Sequence, residues 1–276
     1  MNDDLRAHNA EAEALLRVVN LRKRYERGGG WARGRSQVES LQGIDLQVRA
    51  GAALALIGAS GSGKSTLARC LACLEEADSG EIWFDGKNLA QVGRGALPLY
   101  RRQIQLIFQD PALSLNPRFT AAEIVSEPLL FAEVEKKSER TVRAVDLMRL
   151  VGLPPDAAGH MPGDFSGGQR RRLAIARALA LEPKVLILDE ALAGLDLSTQ
   201  AQIANLLLEL QEARSLTYLW ILHDLSLVAR LASEVAVIDE GRIVESSPTW
   251  KLFANPQSRQ ARVLLDATLA WRGRPA

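Results

Sequence analysis

Residues Gly58 to Thr66 read GASGSGKST, and Phe165 to Gln169 read FSGGQ. A glycine-rich loop ending in Lys-Ser-Thr lets backbone N–H groups wrap a nucleotide's phosphates, while an ammonium reaches the outer phosphates and a hydroxyl reaches magnesium. Lys64 is therefore assigned to the β and γ phosphates, Ser65 to magnesium, and Gly58, Ser60, Gly61, Ser62, Gly63 and Thr66 to the cradle. In the second string, Ser166, Gly167, Gly168 and Gln169 open what reads as a helix, where unpaired N–H groups and the helix dipole favour another anion. One chain is thus expected to carry two phosphate-binding surfaces.

Asp189 and Glu190 follow the apolar run VLIL, so two carboxylates emerge at the C-terminal edge of a strand. Alone they would read as a solvated acidic pair. Beside a phosphate loop, Asp189 is assigned to magnesium through a bound water, and Glu190 to orienting and deprotonating the attacking water. Gln109, after IQLIF, offers an amide oxygen to magnesium or to that water. His223, after YLWIL, either hydrogen-bonds the γ phosphate or fixes Glu190 and the water; a satisfied core histidine is the alternative. Tyr25 has a face suited to stacking on adenine, although strand packing explains it equally, and Trp31 is a weaker candidate for the same role. The run Arg170 to Arg172, with Arg177, is interleaved with Leu173, Ile175 and Leu179 and reads as a solvated helix face. Cys70 and Cys73 are read as packing residues within the helix after the phosphate loop.

The elements that must hold these groups alternate. Leu15 to Tyr25 reads as a strand, ERGGGWARGRSQ as a loop, and Val38 to Val48 as a pair of strands. Ala53 to Ile57 is a short buried strand feeding Gly58, and Lys64 to Leu74 has helical spacing. Glu81 to Phe84 and Ile104 to Phe108 read as strands, and Ala121 to Val151 as a helical block. Gly168 to Leu181 and Ala201 to Ala213 are helical, Val185 to Leu188 and Thr217 to Leu222 are strands, and Val235 to Asp239 with Arg242 to Glu245 forms a hairpin. This order predicts an α/β core with a largely parallel sheet.

Composition narrows the function classes. The 276 residues, 47% of them hydrophobic, suffice for a substantial core. Lys plus Arg number 34 against 33 Asp plus Glu, so no general field attracts nucleic acid or anionic lipid. No apolar run approaches the roughly 20 residues that span a bilayer. The start MNDDLRAHNAEAE lacks a secretory signal's apolar segment, so a cytoplasmic location is expected.

The ordered set GASGSGKST, Gln109, FSGGQ, VLILDE, Leu195-Asp196 and His223 resembles the ATP-binding subunit of ABC transporters, over nearly the whole chain. The resemblance implies a P-loop NTPase core at 12–108 and 167–247 and an antiparallel β subdomain. It also implies an inserted helical subdomain at 109–166 with the signature at its end, and a C-terminal extension at 248–276. ATP and Mg2+ are the implied cofactors. Two subunits would pair head to tail, Ser166 to Gln169 of one closing on ATP held by Lys64 of the other, and the helical block would pass movement to integral-membrane permease subunits. FQDPALSLNPR (Phe108 to Arg118) and ANPQSRQARVLL (Ala254 to Leu265) are similar to the oligopeptide, dipeptide and nickel importer branch, in which an extracytoplasmic binding protein supplies the cargo.

Two departures from that pattern matter. ALAGLD (Ala191 to Asp196) stands where Pro-Thr-Ser-Ala-Leu-Asp is usual, which favours a heterodimer with a paralogous subunit over a homodimer. The tail has no cysteine, excluding an iron–sulfur cluster there. The rival reading, an ABC-type ATPase acting on ribosomes or DNA, would need two ATPase halves in one chain or a long coiled-coil insertion, and the near-neutral charge also disfavours nucleic acid.

Overall fold

The computed structural model describes residues 14–27, 36–93, 95–110, 114–131 and 136–272. In chain order, strands β1 (Ala14–Arg27), β2 (Ser36–Arg49) and β3 (Ala53–Ile57) precede helix α1 (Lys64–Leu71), then β4 (Ser79–Phe84), β5 (Lys87–Asn88), α2 (Leu97–Gln103) and β6 (Ile104–Ile107). Helices α3 (Ala121–Phe131), α4 (Lys137–Leu150) and α5 (Gly167–Leu179) follow, then β7 (Val185–Asp189), α6 (Leu197–Arg214) and β8 (Thr217–Ile221). The chain closes with α7 (Leu225–Leu231), β9 (Glu234–Asp239), β10 (Arg242–Pro248), α8 (Thr249–Ala254) and α9 (Arg259–Arg272). It divides into two units, Met1–Pro98 with Thr217–Ala276, and Leu99–Leu216.

In the first unit an antiparallel sheet runs β2-β1-β4-β5. The expected pair of strands over Val38 to Val48 is instead the single strand β2, paired with β1 from Ala14↔Arg49 to Arg27↔Ser36. Gly43 does not end the strand because it absorbs a register shift at φ +87, where a Cβ would meet Asn20 Oδ1 at 2.8 Å. The second sheet of this unit runs β10-β9-β3-β8, with β3 parallel to both β8 and β9 and β10 antiparallel at the edge. Every residue of β3 and β8 is buried, as strands covered on both faces must be, and this explains their unbroken apolar runs. Tyr218 and Trp220 in β8 are fully buried and meet edge to face at 5.7 Å; burying each ring contributes about 1.5–3 kcal/mol.

Helix α1 stops three residues short of the expected Leu74. Cys73 takes the left-handed position at φ 56, and the N–H of Leu74 returns to the Arg69 carbonyl at 2.9 Å. This closure is usually made with glycine. Cys70 is buried and its thiol pushed up to about 12 by that burial, so it packs rather than reacts, as expected.

In the second unit β6 and β7 pair in parallel from Ile104↔Val185 to Ile107↔Leu188. The helical block predicted over Ala121 to Val151 is realised as α3 and α4, which pack with α5 through Ile124, Val125, Leu129, Ala144, Leu147, Met148, Leu173 and Ile175. An ion pair from Arg177 to Glu127 at 3.0 Å ties α5 to α3. The fold is thus α/β, with largely parallel strands, an antiparallel sheet and a helical block. No helix among the described residues is long and apolar enough to cross a membrane.

Candidate functional site

Strand β3 delivers the chain to Gly58, which is buried against β9. A Cβ there would stand 2.2 Å from the Ile238 carbonyl, so only glycine lets the strand end pass. Gly63 caps α1 at φ 108, and a Cβ there would stand 2.6 Å from the Ser40 carbonyl, also too close to fit. At Gly61, with φ +78, a Cβ would meet nothing within 4 Å and would face open space. The loop is therefore locked at two glycines and open at the one between them. Helix α1 has no acidic residue in its first turn and no side-chain cap, which leaves its N-terminal N–H groups suited to an anion. Lys64 is 5% exposed, and its Nζ donates to the carbonyls of Gly58 at 2.9 Å and Ala59 at 2.8 Å. Thr66 Oγ1 meets Ser40 Oγ at 3.0 Å, which ties the helix start to β2, while Ser65 is half-buried and Ser60 exposed. Ser62 is buried, and its carbonyl accepts the Gly241 N–H at 3.0 Å.

A cavity of about 510 Å³ is lined by Tyr25, Ser40, Gly61, Glu240 and Gly241 among others. The structure thus brings the predicted aromatic residue and the open glycine of the phosphate loop to one concavity. Tyr25 is anchored there. Its hydroxyl is buried beside Arg69 and Glu75, and the Lys23 ammonium lies 5.6 Å from its ring centroid. Arg69 Nε and a Glu75 oxygen are 3.1 Å apart, and the Tyr25 hydroxyl beside Arg69 helps hold that guanidinium above its ordinary value. Glu240 and Gly241, in the β9–β10 turn with φ 43 and 76, were not found from sequence because only tertiary folding brings this turn to the loop. Trp31 lies outside the described residues. His223 follows β8 and is exposed, which removes the core-histidine alternative. Asp224 beside it caps α7, accepting the Ser226 N–H at 2.8 Å.

In the second unit Asp189 ends β7 and is 9% exposed. Glu190 follows, half-buried, in the left-handed region at φ 50. A non-glycine residue pays roughly 1 kcal/mol or more for that geometry, and such strain concentrates where chemistry needs a fixed side chain. The Ala193 N–H closes the turn onto the Glu190 carbonyl at 2.9 Å. Gln109 is exposed just beyond β6. Ser166 caps α5 reciprocally: its Oγ accepts the Gln169 N–H at 3.3 Å, and Gln169 Oε1 accepts the Ser166 N–H at 2.9 Å. The two glycines between them differ. A Cβ on Gly167 would meet nothing within 4 Å, whereas one on Gly168 would meet Thr199 Cγ2 at 2.5 Å, so Gly168 serves close packing against α6. Asp196 caps α6 through the Thr199 N–H at 2.9 Å and Oγ1 at 2.6 Å, and the Thr199 hydroxyl holds its carboxyl below the usual range.

The solvated arginine face is not observed. Arg170 donates to the Phe165 carbonyl at 2.7 Å, Arg171 to the Phe108 carbonyl at 2.8 Å and Arg172 to the Val151 carbonyl at 2.6 Å. Arg171 is only 3% exposed. Sequence spacing treats a charge as outward-facing, but a guanidinium can turn inward where backbone carbonyls need donors.

A buried parallel strand, a glycine-locked loop and an α-helix whose first turn carries no acidic residue and no side-chain cap define a P-loop nucleotide-binding protein. A profile of the ABC transporter family matches residues 41–193. The chain is 43% identical over 257 residues to the probable peptide ABC transporter ATP-binding protein y4tS of Sinorhizobium fredii, covering 93% of this chain and 73% of that protein. It is 40% identical to the dipeptide transport ATP-binding protein DppF of Haemophilus influenzae, covering 94% of this chain and 79% of that one. Against the glutathione import ATP-binding protein GsiA of Pectobacterium atrosepticum identity is 46%, over 94% of this chain but only 42% of GsiA. Among solved structures, the dimeric post-hydrolysis state of the ATP-binding cassette MJ0796 bound to ADP and Pi superposes with a TM-score of 0.75 at 30% identity, covering 85% of this chain and 98% of that one. The chain belongs to the ABC transporter family, as an ATP-binding, ATP-hydrolysing cassette.

Proposed function

We propose that this chain powers peptide uptake as one ATPase of a head-to-tail pair, docked on the cytoplasmic side of integral-membrane permease subunits that an extracytoplasmic binding protein supplies. The observation that carries the nucleotide part is the cavity shared by Tyr25 and Gly61, which offers a base-stacking ring and an open phosphate loop together. The names of the relatives support peptides as cargo rather than the nickel or metal chelates that the branch also admits. The partner ATPase is a paralogous subunit, which the ALAGLD loop favours, or a second copy of this chain. Residues 12–108 and 167–247 are assigned to the nucleotide-binding core, 109–166 to the helical subdomain that transmits movement, and 248–276 to a C-terminal extension.

Within this reading Lys64 neutralises the β and γ phosphates, the N–H groups of Gly61 to Thr66 hold their oxygens, and Gly58 and Ser60 shape the approach to the loop. Ser65, Gln109 and Asp189 offer hydroxyl, amide and carboxylate oxygens, a donor set suited to a hard cation. Bound there, magnesium would screen phosphate charge as the terminal bond breaks. Glu190 takes a proton from the attacking water, with its carboxylate fixed by the strained backbone, and His223 steadies the γ phosphate or that water. Ser166 to Gln169 of the partner subunit in a homodimer, or their counterparts in a paralogue, seal the nucleotide. Glu190→Gln tests the core of this assignment. Steady-state hydrolysis should be lost while ATP affinity stays near wild type, and turnover at the wild-type rate would refute the base.

A further inference from the structure

We propose that Arg171 is a positioning residue for hydrolysis, locking the backbone before Gln109 to the loop after Glu190 so that both follow helix α5; this rests on the ATPase reading above. Its guanidinium is 3% exposed. Nη1 donates to the carbonyl of Phe108 at 2.8 Å, one residue before Gln109. Nη2 reaches the carbonyl of Ala193 at 3.5 Å, and the Ala193 N–H in turn closes onto the Glu190 carbonyl at 2.9 Å. One rigid, planar group therefore spans two segments that are far apart in sequence and carry different parts of the proposed chemistry.

The neighbouring arginines do not do this. Arg170 returns to Phe165 at the start of its own helix, Arg172 serves the end of α4 at Val151, and Arg177 pairs with Glu127 of α3. Arg172 also reaches Gln202 Oε1 of α6 at 3.5 Å, but Arg171 alone among the four joins the segments bearing Gln109 and Glu190. Burying a cation is costly, and burial does push this guanidinium down, with the Asp110 carboxylate opposing the shift. Arg171 stays charged regardless, since arginine does not lose its proton in proteins. A strained φ of 50 at Glu190 persists only where the surroundings over-determine it, and the tether through Ala193 supplies such a constraint. Because α5 begins at Ser166, Gly167 and Gly168, contact of a partner's nucleotide with that helix start would be passed through Arg171 to the water-activating side chains.

Arg171→Met and Arg171→Lys in the full-length chain test this. Methionine keeps the apolar stem and removes both donors, whereas the lysine ammonium can reach one carbonyl at a time. For Arg171→Met we expect kcat to fall by about tenfold or more with KM for ATP changed less than about twofold, the pattern of a lost transition-state contribution. Hydrogen exchange should rise together at the amides of residues 190–195 and 108–110, and lysine should restore part of kcat. A folded Arg171→Met variant with wild-type kcat, unchanged exchange in both segments, or kcat and KM shifting in step would overturn the proposal. If Arg171→Met does not fold, Arg171→Lys decides by the same readouts: lowered kcat at constant KM supports the tether, and wild-type kcat with wild-type exchange removes it. A mistaken role for Glu190 would surface separately, as undiminished turnover in Glu190→Gln, without touching the exchange result.

Discussion

Lys64 and Arg171 are both buried cations that end on backbone carbonyls, yet only the first was legible in the sequence. The lysine is fixed by its nine-residue string, because the glycines, the lysine and the hydroxyls act within one turn of chain. The arginine's partner carbonyl is 63 residues away, and charge periodicity carries no record of such a partner. Without its ammonium, Lys64→Ala should weaken ATP binding by at least about tenfold, roughly 1.4 kcal/mol, in isothermal titration; unaltered affinity would take Lys64 out of the site. Gly58→Ala places a methyl 2.2 Å from the Ile238 carbonyl, and overpacking of this kind costs about 1–3 kcal/mol. Chemical unfolding should register that loss, because both the strand end and β9 are buried. The strain at Glu190 was invisible in the sequence, since nothing in LILDE announces a left-handed backbone.

At the scale of elements, buried strands were read to within a residue or so because β3, β7 and β8 are continuous apolar runs. Helix ends and short helices were not. The expected α1 overruns the observed one because cysteine gives no hint of taking a glycine-like cap, and α7, α8 and α9 have no counterpart in the sequence reading. The paired glycines of α5 were legible as a motif but not in their division of labour. Gly168→Ala should lose about 1–3 kcal/mol in urea unfolding through the clash with Thr199, whereas Gly167→Ala should change stability by less than about 0.5 kcal/mol. Equal destabilisation by the two would contradict the packing assigned to α5 and α6.

The tail makes a pH-dependent connection that belongs to the same scale. Partial burial disfavours ionised Glu245, but the N–H groups of Ser258 at 2.7 Å and Gln257 at 3.1 Å outweigh it and hold the carboxyl below its ordinary value. A carboxyl depressed in the folded state stabilises above its unfolded value, near 4.3, and that contribution disappears as pH falls through the folded one. Protection of the amides of residues 257–262, taken relative to the intrinsic exchange rate at each pH, should therefore fall on acidification below about pH 4. Glu245→Gln should show the faster exchange already at neutral pH, at a cost of no more than about 1 kcal/mol because the group is partly solvent-screened. If protection in this segment is insensitive to both acid and the substitution, Glu245 does not anchor α9.

For the whole molecule, the order of motifs identified the family where composition offered only exclusions, and the relatives and superposed cassettes agree with it. What sequence order does not carry is the second subunit, because the head-to-tail pair proposed above would write its nucleotide site half in each chain. The most direct measurement is the ATPase rate per subunit over a dilution series, taken for the chain alone and with a paralogous partner. A head-to-tail pair requires a rate that falls on dilution and collapses when Ser166→Arg blocks the sealing helix, with turnover partly regained when Ser166→Arg and Lys64→Ala chains are mixed. A per-subunit rate that is constant on dilution and indifferent to Ser166→Arg would contradict it.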